Sequence, residues 1–436
     1  MAAWKEQYKS KYRSLTDAAK EIRSGDRIVT SLASGVPYCF LDALAERIPE
    51  LENVTFSEGT MSKRSKLFDP AFNGHIRTVS SFFGAYERAY KQEGVDISYL
   101  PIHLSNLCEE RESGEGRTVV LISGTPPDEK GLISLGPCPI SSELAQKAGL
   151  FLVVVNENLP WVGGEQGVIP ADRVDLLADG TEEIPDLAPA ALGKTEETIG
   201  GYIAEMVPDG ACIQLGVGNI GTAVGNFLTN KKDLGIHTEM FVESMMDLIK
   251  CGAVNNRKKE LCRGVSVFGF ASGSRELLNF LDHNPAVESR QFDFVNNPRV
   301  IAQLSNMVSV NSALQVDLTG QICAESIGSR QYSGSGGQGD FVRGAKWSRN
   351  GKSFIAFPST RRDKSGGLHS KISLVLPEGS IVTTPRTDVH YVVTEYGVAD
   401  LKGASLEERA KRLIAIAHPD FRKELLEDAK RTGIIL

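Results

Sequence analysis

Residues 211–240, ACIQLGVGNIGTAVGNFLTNKKDLGIHTEM, predict a βαβ unit. A short apolar strand is followed by a glycine loop, a helix and a second strand that ends near Glu239. The loop GVGNIG at 216–221 matches the pattern GxGxxG. Two interpretations fit this arrangement. In one, the acid holds the ribose of a dinucleotide; in the other, the loop amides hold an acyl or phosphate group and the acid is a nucleophile.

Outward from this unit, helical and strand patterns alternate along the whole chain. In the N-terminal half, helices are expected within 1–24 and at 40–48 and 140–148, and strands at 28–32, 53–57, 77–83, 98–101, 118–123 and 151–155. In the C-terminal half, helices are expected at 196–206, 222–228, 276–280, 405–417 and 420–427. Further strands are expected at 211–215, 236–240, 265–270, 308–310, 313–318, 352–357, 372–376, 380–382 and 391–394, with a turn at Asn311-Ser312. Alternation of this kind predicts an α/β fold with largely parallel sheets.

The chain of 436 residues is long enough for two or three domains of about 150–200 residues each. An acidic, proline-containing stretch at 175–193 predicts a connection between domains. After it, the order helix, strand, glycine turn, helix, strand repeats that of the N-terminal half, and Glu58 and Glu239 fall at comparable points. We therefore expect two related α/β domains, 1–190 and 191–436.

Composition excludes several classes of partner. A formal net charge of −7 argues against nucleic acid as the main partner, because phosphate binding requires a basic excess. Seven cysteines without a CxxC pair indicate reduced thiols, and a polar N-terminus without an apolar segment indicates a cytoplasmic protein. The longest apolar run, at 150–155, is too short to span a membrane.

A second glycine-rich stretch, SGSGGQG at 333–339, predicts a loop rather than a helix or strand, and such a loop permits close backbone approach. Its amides at Gly336, Gln338 and Gly339 are candidate donors to an oxyanion formed beside Glu239. A dinucleotide-binding dehydrogenase has no need of this loop. Two purely structural interpretations stay open: GVGNIG is only tight strand–helix packing, and Glu239 is only a solvated or ion-paired carboxylate.

Signatures of other chemistries are absent from the sequence. The seven histidines show no metal-ligand spacing, so no zinc or other metal site is expected. Neither the phosphate-binding pattern GxxxxGK[ST] nor the hydrolase nucleophile pattern GxSxG occurs.

Six segments, in the order in which they occur, resemble the acetyl-CoA hydrolase/CoA-transferase family. Within this family they are most similar to the 4-hydroxybutyrate and butyryl-CoA:acetate CoA-transferases. They are QLGVGNIG (214–221), GIHTEM (235–240), QVDLTGQ (315–321), SGGQGDF (335–341), VVTEYGVA (392–399) and IAHPDF (416–421). The N-terminal half is similar more loosely, through the turn at Ser34-Gly35 and NENLP at 156–160.

The resemblance implies two related α/β domains with the active site between them. Glu239 would be the nucleophile, passing through an acyl-glutamyl anhydride and a glutamyl-CoA thioester. Acyl-CoA and a small carboxylate such as acetate would be substrates, without a permanent cofactor and without a membrane partner, in a homodimer or homotetramer. CoA would lie along Gly216, Val217, Gly218, Asn219, Ile220, Leu314 and Gly337.

One position departs from the family pattern. Lys371 stands where an arginine is expected, which keeps the charge but loses the planar fork of a guanidinium. Three alternatives to a transferase stay open: an acyl-CoA hydrolase with the same nucleophile, an NAD(P)-dependent oxidoreductase that uses GxGxxG, and a non-catalytic CoA sensor.

Overall fold

A computed structural model describes residues 3–107, 109, 114–140, 142–187 and 191–436. The chain divides into two compact units, one comprising 1–188 with 267–295 and the other 189–266 with 296–436. The segment 267–295 therefore groups with the first unit, although it follows the start of the second in sequence. The expected domain boundary at 190 lies at residues 188–190, which are outside the described part of the chain.

The first unit contains a mixture of short helices and strands. Its helices are Ala3–Gln7, Leu15–Ala19, Tyr38–Ala45, Ala85–Gln92, Ser142–Lys147, Arg275–Leu281 and Phe292–Val295. Its strands are Tyr12–Arg13, Arg27–Val29, Val54–Glu58, Ile76–Ser80, Ile97–Tyr99, Thr118–Gly124, Leu132–Ser134, Leu150–Val155, Val168–Pro170, Leu176–Asp179 and Val287–Ser289. The strand Ser266–Ala271 also belongs to this unit, except for its first residue. Single turns of 3₁₀-helix occur at Ala33–Gly35, Ile48–Glu50, Pro70–Phe72, Leu104–Asn106 and Ala171–Arg173.

Eight of these strands form one sheet in which every neighbouring pair is parallel. Across the sheet the order is Tyr12–Arg13, Leu176–Asp179, Leu150–Val155, Thr118–Gly124, Arg27–Val29, Val54–Glu58, Ile76–Ser80, Ile97–Tyr99. The Arg27–Val29 strand lies in the interior, with Ile28 opposite Phe56 on one side and Val119 on the other.

Both faces of this sheet are buried, which explains its uninterrupted apolar strands. Alternate residues of the Thr118–Gly124 strand point to opposite faces: Val119 and Leu121 pack into one apolar cluster, and Val120 and Ile122 into another. All four side chains are fully buried. Burial of each contributes about 1.5–3 kcal/mol, so these two clusters stabilise the unit.

The second unit combines a larger sheet with several short hairpins. Its helices are Lys194–Glu205, Asn219–Phe227, Glu243–Lys250, Pro298–Ile301, Gln338–Trp347, Leu406–Ala415 and Pro419–Arg431. Its strands are Cys212–Leu215, Gly235–Phe241, Met307–Ser312, Gln315–Asp317, Ile322–Cys323, Ser326–Ile327, Arg330–Gln331, Lys352–Ala356, Thr360–Arg362, Leu368–Ser370, Ile372–Ser373, Tyr391–Thr394 and Gly397–Asp400.

Six strands of this unit are consecutive neighbours, in the order Gly235–Phe241, Cys212–Leu215, Met307–Ser312, Lys352–Ala356, Tyr391–Thr394, Gly397–Asp400. Only the last pair is antiparallel. The first five repeat both the spatial and the chain order of Val54–Glu58, Arg27–Val29, Thr118–Gly124, Leu150–Val155 and Leu176–Asp179 in the first unit. The α/β class with largely parallel sheets is thus confirmed.

Some local predictions were wrong because pairing partners distant in sequence override local patterns. Tyr12–Arg13, expected to be helical, is a strand because it pairs with Leu177 and Ala178. The expected turn at Asn311-Ser312 continues a strand, opposite Ile355 and Ala356.

Two further expectations failed. Residues 380–382 are not a strand; the N–H of Ile381 donates instead to the Ser326 hydroxyl. The glycine-rich stretch at 333–339 is not all loop, because a helix begins at Gln338.

No helix in the described ranges combines the length and the apolar character needed to cross a lipid bilayer.

Candidate active site

Glu239 lies on the Gly235–Phe241 strand, directly beside the strand that leads into the glycine loop. The Cys212–Leu215 strand pairs with it in parallel, with Ile213 opposite Ile236. Carboxyl ends of neighbouring parallel strands meet at one edge of a sheet, which is where ligands bind in open α/β sheets. The predicted nucleophile and the predicted ligand loop therefore share one sheet edge.

Two side chains fix the strand that carries Glu239. The amide oxygen of Asn256 accepts the N–H of Ile236 at 2.9 Å. The Lys259 ammonium donates to the carbonyl oxygens of Ile236 and Val265 at 2.8 and 2.7 Å, and its residue is only 2% exposed. A buried ammonium requires such acceptors, so Lys259 is a structural part of this strand.

The Glu239 carboxylate has two neutral donors. Nδ2 of Asn296 donates to Oε2 at 2.8 Å, and the backbone N–H of Gly337 donates to the same carboxylate. Burial raises the pKa of Glu239 to about 7, and the nearby Asp340 carboxylate raises it too, while the bonds from Asn296 and Gly337 act in the opposite direction. A carboxylate with this pKa is partly ionised at neutral pH and is a stronger base than an ordinary glutamate, as suits a nucleophile.

Gly337 is required at its position by close packing. A methyl group at this residue would overlap Oε2 of Glu239 and Nδ2 of Asn296. Gly337 caps the helix Gln338–Trp347, and Gly336 before it has a left-handed φ of 51°. Glu239 thus faces the N-terminus of a ten-residue helix, where unsatisfied amides and the helix dipole favour negative charge.

The glycine loop at 216–221 is a tight turn into the Asn219–Phe227 helix. The N–H of Gly216 donates to the carbonyl oxygen of Val310 at 2.7 Å, and a side chain at Gly221 would collide with the Gly216 carbonyl. Gly218, with a φ of 108°, caps the helix. The loop therefore meets the requirements of tight strand–helix packing, and its outer side is still open, because Val217 is 59% exposed.

Beneath this loop lies a buried amide cluster that the sequence analysis missed. The side-chain oxygen of Gln214 accepts the Ser309 hydroxyl at 2.8 Å and Nδ2 of Asn311 at 3.3 Å. Nδ2 of Asn311 also donates to Ser309 at 2.9 Å. These contacts join the strand before the loop to its neighbour, Met307–Ser312, and hold the base of the loop.

The remaining predicted residues lie in different places. Leu314, partly buried, follows the Met307–Ser312 strand, and its N–H donates to the Cys323 carbonyl at 2.9 Å. Gln338 and Gly339 form the first turn of the helix that begins after Gly337. Of the second glycine stretch, Gly337 is the residue placed against Glu239.

The structure also adds one residue to the site, Asn296. It precedes the cap residue Asn297 of the short Pro298–Ile301 helix, and this sequence context indicates only a helix start. Asn296 is completely buried, and its Oδ1 has no hydrogen-bond partner in the part of the chain that the structure describes.

Lys371 is partly buried, and burial lowers the pKa of its ammonium, against the attraction of Glu395. The Glu395 carboxylate itself accepts the N–H and hydroxyl of Ser359 at 2.8 and 2.6 Å.

Among the described residues, no group of three or more His, Cys, Asp or Glu side chains is arranged to hold a metal ion.

Comparison with known proteins identifies the family of the chain. Residues 2–187 match the acetyl-CoA hydrolase/transferase N-terminal domain, and residues 273–429 match the C-terminal domain. The chain is 38% identical to a butyryl-CoA:acetate CoA-transferase of Anaerostipes caccae, over 99% of this chain and 98% of the other. It is 39% identical to a 4-hydroxybutyrate coenzyme A transferase of Clostridium kluyveri, over 98% and 99%.

A solved structure is similarly close. RipA from Yersinia pestis superposes with a TM-score of 0.90 at 36% identity, covering 99% of this chain and 100% of that one. Both family domains and full-length relatives lead to the same assignment: the chain belongs to the acetyl-CoA hydrolase/transferase family of enzymes.

Proposed function

We propose that this enzyme transfers CoA between a short-chain acyl-CoA, such as butyryl-CoA or 4-hydroxybutyryl-CoA, and a small carboxylate such as acetate. The observation that carries the proposal is the environment of the Glu239 carboxylate. It lies at a helix N-terminus and accepts hydrogen bonds from Asn296 Nδ2 and the Gly337 N–H. The names of the relatives from Anaerostipes caccae and Clostridium kluyveri support the same substrate class.

In the first half-reaction, a Glu239 carboxylate oxygen attacks the thioester carbonyl carbon. The C–S bond breaks, CoA leaves as its thiolate, and an acyl-glutamyl anhydride remains. The thiolate then attacks the glutamyl carbonyl carbon of the anhydride. The first carboxylate departs, and Glu239 carries CoA as a thioester.

In the second half-reaction, the incoming carboxylate attacks the glutamyl thioester. CoA leaves as its thiolate, and a new acyl-glutamyl anhydride is formed. Attack of the thiolate on the new acyl carbonyl releases the product acyl-CoA and restores Glu239. Thioesters of similar energy are exchanged, so no nucleoside triphosphate is required.

The donors beside Glu239 have a second use in these steps. When thiolate or carboxylate attacks the glutamyl carbonyl, negative charge develops on a glutamyl oxygen, and Asn296 and the Gly337 amide already donate to this carboxyl group. Preorganised donors of this type typically contribute about 10²–10³-fold in rate. The exposed side of the 216–220 loop, with Leu314 and Gly337, is where we place CoA.

The test is mass spectrometry of the protein after incubation with butyryl-CoA alone. We expect a mass increase of CoA less one water on the peptide that contains Glu239, and its loss with hydroxylamine or borohydride. Glu239→Ala should bind CoA but form no adduct and transfer no CoA. Glu424→Ala, which removes a surface carboxylate, is the matched control. Full turnover by Glu239→Ala would overturn the assignment.

A hydrolase with the same nucleophile is the second candidate, because water could attack the same anhydride or glutamyl thioester. Free thiol separates the two functions, because transfer to acetate yields acetyl-CoA and butyrate without free CoA, whereas hydrolysis liberates the CoA thiol. We expect acetate-dependent formation of acetyl-CoA without thiol release; sustained thiol release from butyryl-CoA in the absence of acetate would favour a hydrolase. A panel of small carboxylates then identifies the preferred acid, and light scattering tests the proposed homodimer or homotetramer.

A further inference from the structure

The side chain of Gln338 is held at both ends. Its Nε2 donates to the carbonyl oxygen of Ser312 at 2.7 Å, and its Oε1 accepts the Thr384 hydroxyl at 3.0 Å. The residue is 7% exposed, so its carboxamide is largely shielded from water. Because both polar ends of the carboxamide are already occupied within the fold, its side chain is not a donor directed at a ligand.

Gln338 occupies a special position in the chain. It is the first residue of the Gln338–Trp347 helix and directly follows Gly337, whose N–H donates to Glu239. The two preceding residues are both glycines, and Gly336 has a left-handed φ. Glycine permits a wide range of backbone conformations, so this stretch cannot orient the Gly337 amide by its own conformational preference. An external anchor is needed immediately after it.

The acceptor of this anchor is also significant. Ser312 ends the Met307–Ser312 strand, and the same strand receives the Gly216 N–H at Val310. The positions of the glycine loop and of the Gly337 amide are thus both fixed by hydrogen bonds to one strand of the parallel sheet. A change in the Gln338 contacts would move the Gly337 amide relative to Glu239 and to the loop.

We propose that Gln338 is a positioning residue for CoA transfer, whose carboxamide holds the Gly337 amide against Glu239 through Ser312 and Thr384. This inference rests on the proposed function of Glu239. Gln338 acts through Gly337 and does not contact the reacting atoms itself.

The test compares Gln338→Met with Gln331→Met in full-length enzyme. Methionine keeps the length of the side chain and removes both hydrogen bonds. Gln331 is a matched control, because its Nε2 also donates to a backbone carbonyl, that of Ser333, at 2.7 Å. For Gln338→Met we expect kcat to fall about 10–100-fold with little change in KM for acyl-CoA, since a small misplacement of a catalytic group has effects of that order. Gln331→Met should retain the wild-type kcat.

The pH profile gives a readout that a purely structural role would not move. The Gly337 bond favours the charged form of Glu239, whereas burial and Asp340 oppose it. Loss of the bond should therefore shift the acidic limb of kcat/KM to higher pH in Gln338→Met. Thr384→Val, which removes one of the two bonds, should shift the limb in the same direction by less.

Unchanged kcat and an unchanged acidic limb in well-folded Gln338→Met would overturn the inference. If that variant does not fold, as judged by its thermal transition, a wild-type limb in Thr384→Val overturns it instead. The proposed function is tested separately. A wild-type enzyme without a CoA adduct on Glu239 would contradict the function, whereas a normal wild-type adduct with unaltered Gln338→Met kinetics would contradict only the role of Gln338.

Discussion

Nδ2 of Asn296 lies 2.8 Å from Oε2 of Glu239, and 57 positions separate the two residues in the chain. The contact is between a neutral amide and a carboxylate. A cation in the same place would lower the pKa of Glu239 strongly and make it a poorer nucleophile. A neutral donor stabilises the ionised form of Glu239 only moderately. It can still donate a hydrogen bond to the glutamyl oxygen during the reaction.

Replacing Asn296 should therefore change the pH dependence of transfer. Asn296→Ala removes a bond that lowers the pKa of Glu239, so the pKa rises beyond its value of about 7 and the acidic limb of kcat/KM moves to higher pH. We expect a loss of about 10²-fold in kcat at pH 7. Asn297→Ala is the control. It removes a helix cap, with a cost of about 1 kcal/mol in stability, and should leave the limb in place. A wild-type profile for Asn296→Ala would contradict this role.

The raised pKa of Glu239 also predicts how stability depends on pH. Between the ordinary glutamate value of 4.5 and about 7, the folded chain keeps a proton that the unfolded chain has released. The free energy of unfolding therefore decreases as pH rises through this window, by at most about 3 kcal/mol from this group.

Glu239→Gln removes this titration. Urea unfolding at pH 5 and pH 8 should show that the variant gains stability relative to wild type at the higher pH. An equal difference between the two proteins at both pH values would show that the carboxyl titrates normally. Glu424→Gln provides the surface control.

Gly337 should tolerate no side chain. In Gly337→Ala the added methyl group would overlap atoms of Glu239 and Asn296, and the helix cap would have to move. We expect transfer to fall by at least about 10²-fold, measured as acetate-dependent conversion of butyryl-CoA to acetyl-CoA. Gly201→Ala, in the middle of the Lys194–Glu205 helix with open space around it, should be as active as wild type and slightly more stable. Activity of Gly337→Ala near the wild-type level would show that the helix start adapts freely.

Lys259 provides a prediction about stability. Lys259→Met leaves the carbonyl oxygens of Ile236 and Val265 without the ammonium that they accept from. We expect a loss of about 2–4 kcal/mol in the free energy of unfolding, from the midpoint of urea denaturation. Lys258→Met removes a neighbouring exposed ion pair with Asp233 and should cost less than about 1 kcal/mol. Similar losses in the two variants would argue against a special role for Lys259.

The sequence predicted those features that depend on local periodicity. The strand expected at 391–394 occurs at those residues, and the run at 150–155 is one buried strand of a parallel sheet. The GVGNIG loop and Glu239 were predicted to serve one ligand, and the parallel pairing of their strands places them at one sheet edge. These inferences need only alternation, glycine geometry and the rules of parallel sheets.

Features that depend on distant partners could not be predicted in this way. Asn296 approaches Glu239 only through the fold, and its sequence context indicates a helix cap. The start of the Gln338–Trp347 helix was missed because glycine density suggested a loop, whereas contacts of Gln338 with Ser312 and Thr384 hold its first turn. The tertiary structure outweighs intrinsic propensity at these positions.

The Met307–Ser312 strand lies between two parallel neighbours, Cys212–Leu215 and Lys352–Ala356. It is also the shared acceptor for the Gly216 amide and the Gln338 side chain. Local opening of its carboxyl end would release both the glycine loop and the donor of Glu239 in a single event. Hydrogen exchange should therefore report Gly216 and the first turn of the Gln338–Trp347 helix as one cooperative unit, in which bound CoA slows exchange of both together.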